Sequence, residues 1–296
     1  MQISLAPING LATITCENAH LRIVVVPAMG GKIASIYNKM LDREFLWTDT
    51  GLSLQTLPPG SEYDPNFYGG MDELIPNDIP ETVQGTEYPD HGELWTAPLE
   101  YAMPPGAIVV SGTLPLSGLF YQKTIRLDPA LPEIHLDYMI RNDAQVSRPF
   151  MWKLHPALRV EAGDRLVTSA ARARVVDAAY SRFTDPQEFA WPMVEGVDAS
   201  NIPAIGNGMD FFFLWDAERP EMSIISERNN TRFSIRYDAK VFPYQWYFAS
   251  YGGFLGHYTA VLEPCSTMPL SVAEAAGLGQ CTVLQAGETL QTSVRL

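Results

Sequence analysis

Apolar and polar positions alternate with a period of two along most of this chain. Ile134, Leu136, Tyr138 and Ile140 interleave with His135, Asp137, Met139 and Arg141. Phe233, Ile235 and Tyr237 interleave with Arg232, Ser234 and Arg236, and Leu290, Thr292, Val294 and Leu296 repeat the rhythm at the C-terminus. Alternation of this kind builds strands with one buried face and one wetter face. Turn chemistry punctuates it at Gly30-Gly31, Pro104-Pro105-Gly106, Asp128-Pro129, Asn229-Asn230, Gly252-Gly253 and Ala286-Gly287. Helix signals are nearly absent. Ser271 followed by Glu274 has capping-box spacing and opens a short Ala-rich helix ending at Gly277. Many strands and one short helix predict an all-β fold, an antiparallel sandwich or barrel.

No linker, low-complexity tract or repeat divides the sequence, so residues 1–296 are expected to form a single large β domain. One stretch breaks the rhythm. Leu57 to Pro89 is rich in proline, glycine and acidic residues and reads as a long structured loop, whose aromatics Tyr63, Phe67, Tyr68 and Tyr88 favour order. With 46% hydrophobic and 18% charged residues the chain can bury a sizeable core, which excludes a disordered polymer. The formal net charge of -14 repels phosphate backbones and anionic lipid, so neither nucleic acid nor a membrane surface is expected as a partner. No apolar run reaches the roughly 20 residues that span a bilayer. The N-terminus shows no secretory signal pattern. Cys16, Cys265 and Cys281 lack CxxC spacing, which argues against a disulfide framework or zinc ribbon. A cytoplasmic protein is the expectation.

Three places can carry chemistry. In FMWKLHPALRV, Phe150, Trp152 and Leu154 share one strand face, and Met151, Lys153 and His155 share the other. An imidazole beside an ammonium, on a strand stopped by Pro156, is poised at a sheet end, although a satisfied edge or core histidine has the same pattern. In HYTAVLEPCS, Glu263 ends an apolar strand before Pro264. Burying that carboxylate is costly without a partner, and desolvation would raise its pKa toward the range of a general base. An exposed strand-end carboxylate is the plain alternative. The third place is GGMDELIP followed by DHGELW, where Asp72, Glu73, Asp90, His91 and Glu93 surround one imidazole. Such a set could bind a hard cation, but no second histidine stands at ligand spacing, so no metal is expected. His257 has the position of a rim residue, whereas His20 and His135 read as surface. Gly30-Gly31-Lys32 lacks a phosphate-loop frame and reads as a hairpin turn.

The order GGxDExxP with DHGExW, then a strand carrying HP, then LEP near the C-terminus resembles the aldose 1-epimerase (mutarotase) family of galactose-mutarotase-like proteins. The islands PAMGGKIASIYN, FPYQWYFASYGG and the closing Gly287-Glu288 turn extend the likeness over nearly the whole chain. The resemblance implies a large antiparallel β-sandwich with a carbohydrate cleft across one sheet. It implies Glu263 as catalytic base and His155 as general acid. Because both read as strand ends before a proline, they are expected to face each other across a gap about the size of a sugar ring. His91 and Trp246 would bind the sugar, with Asp72, Glu93, Lys153 and Asp210 as further substrate contacts. No cofactor is implied. The partner would be a monosaccharide or sugar derivative, and the protein a monomer or homodimer. Two departures stand out: HG is followed by Glu93, Leu94 and Trp95 where an arginine is usual, and Lys-Leu-His-Pro-Ala-Leu replaces the usual surroundings of the second histidine. Two other functions stay open. A sugar-binding module would keep the cleft without turnover, and a glycoside hydrolase or lyase would need a second carboxylate opposite Glu263, from Glu93, Asp72 or Asp210.

Overall fold

The computed structural model describes residues 2–184, 187–206 and 208–296. Strand accounts for 48% of the chain and helix for 5%, and the strands form large antiparallel sheets, so the all-β sandwich expected from the period-two pattern is the observed architecture. Among the described residues the larger sheet has twelve strands. Its centre runs Lys32–Asn38, Met71–Leu74, Lys153–Leu158, Tyr258–Cys265, Tyr244–Tyr251 and Gly208–Trp215 in spatial order. The second sheet has eight strands among the described residues, with Thr231–Arg236, Thr289–Arg295, Ile134–Asn142 and Leu119–Leu127 side by side in its middle. The three strands that showed the clearest alternation are all among them, within one residue of the expected ends. No helix among the described residues is long and apolar enough to cross a membrane.

Side-chain parity assigns each central strand two different jobs. Leu154, Phe212, Leu214, Tyr247, Ala249, Ala260 and Leu262 point between the sheets and join Leu136, Ile140 and Ile125 of the other sheet in the main core. Burying one such large apolar side chain stabilises the fold by about 1.5–3 kcal/mol. A polar bolt crosses this core. Glu73 of the larger sheet accepts hydrogens from Lys123 Nζ at 2.7 and 2.9 Å and from the Tyr138 hydroxyl at 2.8 Å, both residues of the smaller sheet. Glu73 and Lys123 are fully enclosed, so each charge depends on the other.

The opposite face of the larger sheet carries Lys153, His155, Val261, Glu263, Trp246, Phe248, Phe211 and Phe213. Two apolar clusters roof it on either side. Tyr63, Phe67 and Trp95 pack over Leu74, Ala157 and Val261 on one side. Val83, Tyr88 and Val272 pack over Met151, Phe213 and Trp246 on the other.

The Leu57 to Pro89 stretch is thus not all loop. It contributes Met71–Leu74 to the larger sheet and a small hairpin, Glu81–Val83 with Thr86–Tyr88. Gly69 and Gly70 mask the strand in the sequence; the chain needs them because a Cβ at Gly69 would lie 2.3 Å from the Trp47 carbonyl oxygen. Half of the expected capping box is present: the Ser271 side chain accepts from the Glu274 amide, while Glu81, not Glu274, accepts from the Val272 amide at 2.7 Å. The helix runs Val272–Leu278, passing through Gly277, because Gly279 at φ 67° makes the left-handed cap.

Candidate active site

Between the two roofing clusters a cavity of about 230 Å³ opens onto the sheet. Its floor is Lys153, His155, Val261 and Glu263, with Phe211 and Phe248 beside them. One wall is Tyr63, Phe67, Asp78 and His91, and the other is Val176, Tyr180, Phe254 and Leu270.

Strand register explains why the two central groups meet. Lys153 pairs with Cys265 and Ala157 with Val261, so His155 and Glu263 occupy facing positions on neighbouring strands. Asp72 faces His155 on the next strand, and Trp246 faces Glu263 on the other side. Four residues scattered through the sequence thereby form one row across the sheet. Pro156 and Pro264 follow the two central residues, and having no N–H they interrupt the ladder there. The expected ring-sized separation is not what this register gives. His155 Nε2 lies 3.9 Å from Glu263 Oε2, because cross-strand neighbours on one face sit side by side. A ligand would lie over the pair rather than between its members.

Charge in the floor is tightly arranged. Lys153 Nζ lies 2.6 Å from Asp78 Oδ1 and 2.8 Å from Glu263 Oε2, and all three residues are buried. The 2.8 Å approach of the ammonium to Glu263 Oε2 is a buried ion pair. Burial raises the Glu263 pKa above the usual carboxylate value, and the Lys153 ammonium offsets this only in part. Burial works against the charge of Lys153, but Asp78 and Glu263 outweigh it and raise its pKa. His155 is held well below an ordinary histidine, first by burial and then by the positive charge of Lys153. Both causes favour the neutral form of the imidazole.

His91 enters the cavity from an unusual backbone. It sits at φ 56° and is followed by Gly92 at φ 74°. A Cβ at Gly92 would lie 2.2 Å from the Ile75 carbonyl oxygen, so this turn admits only glycine. The imidazole stacks on Tyr63 at 4.2 Å, and its Nδ1 contacts Asp90 Oδ1 at 2.8 Å. Burial alone would raise the Asp90 pKa, but the hydrogen bond and charge of His91 hold it below the usual value.

The structure brings Glu263, His155, Lys153 and His91 together and places the other four candidates elsewhere. Trp246 is covered: its Nε1 donates to the Thr267 carbonyl, and its ring backs Lys153 Nζ at 4.7 Å. Asp72 lies behind Tyr63 and is bound to Lys32 Nζ at 2.6 Å. Glu93 accepts the Leu116 and Ser117 amides at 2.8 and 2.9 Å, because the left-handed turn at residues 91 and 92 sends it away from the cavity. Asp210 alternates with the cavity residue Phe211 and so points to the opposite face, where Arg182 holds it at 2.6 Å. Of the five residues weighed as cation ligands, Asp90 and His91 touch, while Asp72, Glu73 and Glu93 are taken up by Lys32, Lys123 and the Leu116 and Ser117 amides. His257 lies behind the aromatic wall, 4.7 Å from the Trp47 ring.

The sequence pattern missed Tyr63, Asp78 and Lys32. Tyr63 was visible only as one aromatic in the proline-rich stretch. Asp78 and Lys32 follow no strand alternation, and contact with Lys153 or Asp72 is what defines them.

No protein-family model and no curated sequence matches the chain. Solved structures do. A galactose mutarotase-like protein from Clostridium acetobutylicum superposes with a TM-score of 0.73 at 14% identity, covering 99% of this chain and 97% of that one. A protein provisionally named an aldose 1-epimerase, from Klebsiella pneumoniae, gives 0.75 at 16% identity over 97% and 79%. The Slr1438 protein from Synechocystis gives 0.75 at 13% over 100% and 98%. The class is therefore that of galactose-mutarotase-like β-sandwich folds. At these identities the likeness is one of structure, and it establishes the fold alone.

Proposed function

We propose that this protein interconverts the anomers of a free aldose by opening and reclosing its ring, as an aldose 1-epimerase does. The observation that carries this reading is the His155–Glu263 pair, 3.9 Å apart on the floor of an aromatic-walled cavity. Ring opening removes the proton of the anomeric hydroxyl and delivers one to the ring oxygen; closure does the reverse. A pair that shares a single proton does both. One member accepts, the other donates, and the return step restores the pair. Such coupled groups titrate as a unit. Burial lowers His155 and raises Glu263, which moves the two groups' proton affinities from their ordinary values toward each other, so one proton can serve the pair in either direction: the unprotonated member takes the anomeric proton and the other serves the ring oxygen. Each positioned acid or base contributes about 10²–10⁴-fold. Phe211, Phe248 and Phe254 supply flat apolar surface for the C–H face of a sugar.

The charge census favours an uncharged sugar. Among the described lining residues Lys153 is the one lysine or arginine, and Asp78 and Glu263 already neutralise it. Asp64, Asp90 and Asp177 add further carboxylates. A sugar phosphate would find no free cation. The three carboxylates weighed as partners of Glu263 in a hydrolytic function, Glu93, Asp72 and Asp210, lie outside the cavity. The test is polarimetry on freshly dissolved pure anomers of several neutral aldoses and of their 6-phosphates. Faster relaxation of at least one neutral aldose supports the reading. Acceleration confined to the phosphates would overturn the charge argument, and acceleration of none would overturn the activity.

A further inference from the structure

We infer that Tyr63, Asp72 and Lys32 fix the tautomer of His155, so that Nδ1 carries the ring hydrogen and Nε2 presents its lone pair to the cavity. The inference rests on the proposed function for its consequence, not for the tautomer itself.

The argument is a count of hydrogens along a buried chain. Asp72 Oδ2 lies 2.6 Å from Lys32 Nζ and 2.9 Å from the Tyr63 hydroxyl. Lys32 also donates to the Gly69 carbonyl at 2.7 Å, which holds the ammonium in place. An oxygen that accepts from an ammonium is not a donor, so the single hydroxyl hydrogen of Tyr63 is spent on Asp72. Burial and the neighbouring Asp72 push the Tyr63 phenol well above its ordinary range, so that hydrogen stays on. His155 Nδ1 lies 3.2 Å from the same Tyr63 oxygen. With the hydroxyl hydrogen already committed, this contact is a bond only if Nδ1 donates. The partner of one imidazole nitrogen decides what the other can do.

Ring packing leaves the relay little freedom to rearrange. Tyr63 is stacked on His91, meets Trp95 edge-on at 4.9 Å, and meets His155 nearly perpendicular at 5.6 Å. Phe67 closes the other side of His155 at 5.3 Å. Rotation of the imidazole to exchange its nitrogens would break the Tyr63 contact and push into these rings. Tyr63 and Asp72 are thus positioning residues: they touch the reaction only through His155. Their consequence for the proposed chemistry is specific. A neutral His155 with hydrogen on Nδ1 accepts the anomeric proton at Nε2, whereas the other tautomer would offer an N–H there and could not.

The test is long-range ¹H–¹⁵N correlation NMR of the full-length protein labelled at histidine, with His155 assigned from a His155→Asn sample. The wild-type spectrum is expected to show Nε2 as the pyridine-type nitrogen and Nδ1 as the protonated one. Tyr63→Phe removes the acceptor and should move the population toward the Nε2-protonated form, with a fall in kcat of at least tenfold and KM little changed. A wild-type spectrum with Nδ1 as the pyridine-type nitrogen would overturn the inference without any variant. So would an unchanged tautomer in a folded Tyr63→Phe protein. The expected tautomer in a protein that turns over no aldose would leave the relay standing and remove the proposed function alone.

Discussion

Replacing Lys123 by Met severs the polar bolt between the sheets and tests how the fold places consecutive acidic residues on opposite faces. The variant keeps the side chain's length and apolar stem but removes the ammonium, which is completely buried beside Glu73. Glu73 would then keep the Tyr138 hydroxyl at 2.8 Å as its donor, and the Gly31 carbonyl would lose its 2.8 Å bond from Lys123. Breaking a buried ion pair from one side costs about 3–5 kcal/mol, because the remaining charge stays desolvated. That is a large share of the roughly 5–15 kcal/mol that holds a typical domain folded. The double variant Lys123→Met with Glu73→Leu removes both charges and should recover much of the loss. What remains is the Tyr138 hydroxyl left without its acceptor and the Gly31 carbonyl left without its Lys123 donor, about 1–3 kcal/mol for each. The assay is urea unfolding followed by circular dichroism on wild type, both single variants and the double. A Lys123→Met loss below about 1 kcal/mol, or a double variant less stable than either single one, would refute the reasoning.

Three further outcomes are expected. If the His155–Glu263 pair works with one shared proton, the rate of anomer exchange should be bell-shaped in pH. Its acid limb lies below the ordinary histidine value of 6.5 and its alkaline limb above the ordinary carboxylate value of 4.5, and a pH-independent rate from pH 4 to 9 would rule the shared proton out. His155 is neutral in the fold but protonates in the unfolded chain below about 6.5, so its contribution to stability is complete above 6.5 and is lost as pH falls toward the folded pKa, by up to about 1.4 kcal/mol per pH unit. Urea midpoints measured between pH 4.5 and 7 should therefore fall less steeply in His155→Asn than in wild type; parallel slopes would contradict the shift. Gly92→Ala forces a Cβ to 2.2 Å from a carbonyl oxygen, and should cost more than about 1–3 kcal/mol while displacing His91; a melting point within a degree of wild type would show that the turn can relax.

Much of this arrangement is legible in the sequence because sheet geometry is periodic. Alternation places Lys153 and His155 on one face of their strand, but the prolines after His155 and Glu263 do not end the strands as the sequence suggests: Lys153–Leu158 and Tyr258–Cys265 run through them in the middle of the sheet, because neighbouring strands hold both on either side. What alternation within single strands could not supply is register. That Asp72, His155, Glu263 and Trp246 share one row follows from pairings between strands far apart in sequence. It also explains why His155 and Glu263 lie side by side and not across a gap. The same parity rule, applied to Met71–Leu74, separates Asp72 from Glu73, which a motif reading had grouped together. His91 and Glu93 part company because two successive left-handed residues redirect the backbone. Tyr63 and Asp78 come from a segment with no period, whose path is set by the packing of Tyr63, Phe67 and Trp95 on the sheet. No local signal could have placed them.

The most direct test of the central claim is exchange NMR between the α- and β-anomer signals of a neutral aldose, with sugar binding measured on the same samples. Wild type should accelerate exchange, while Glu263→Gln and His155→Asn should each lose most of the acceleration yet bind sugar nearly as well. The double variant should be little worse than either single one, since the two residues serve one proton circuit. Full exchange in a folded Glu263→Gln protein, or sugar binding by wild type with no acceleration of any aldose, would contradict the account.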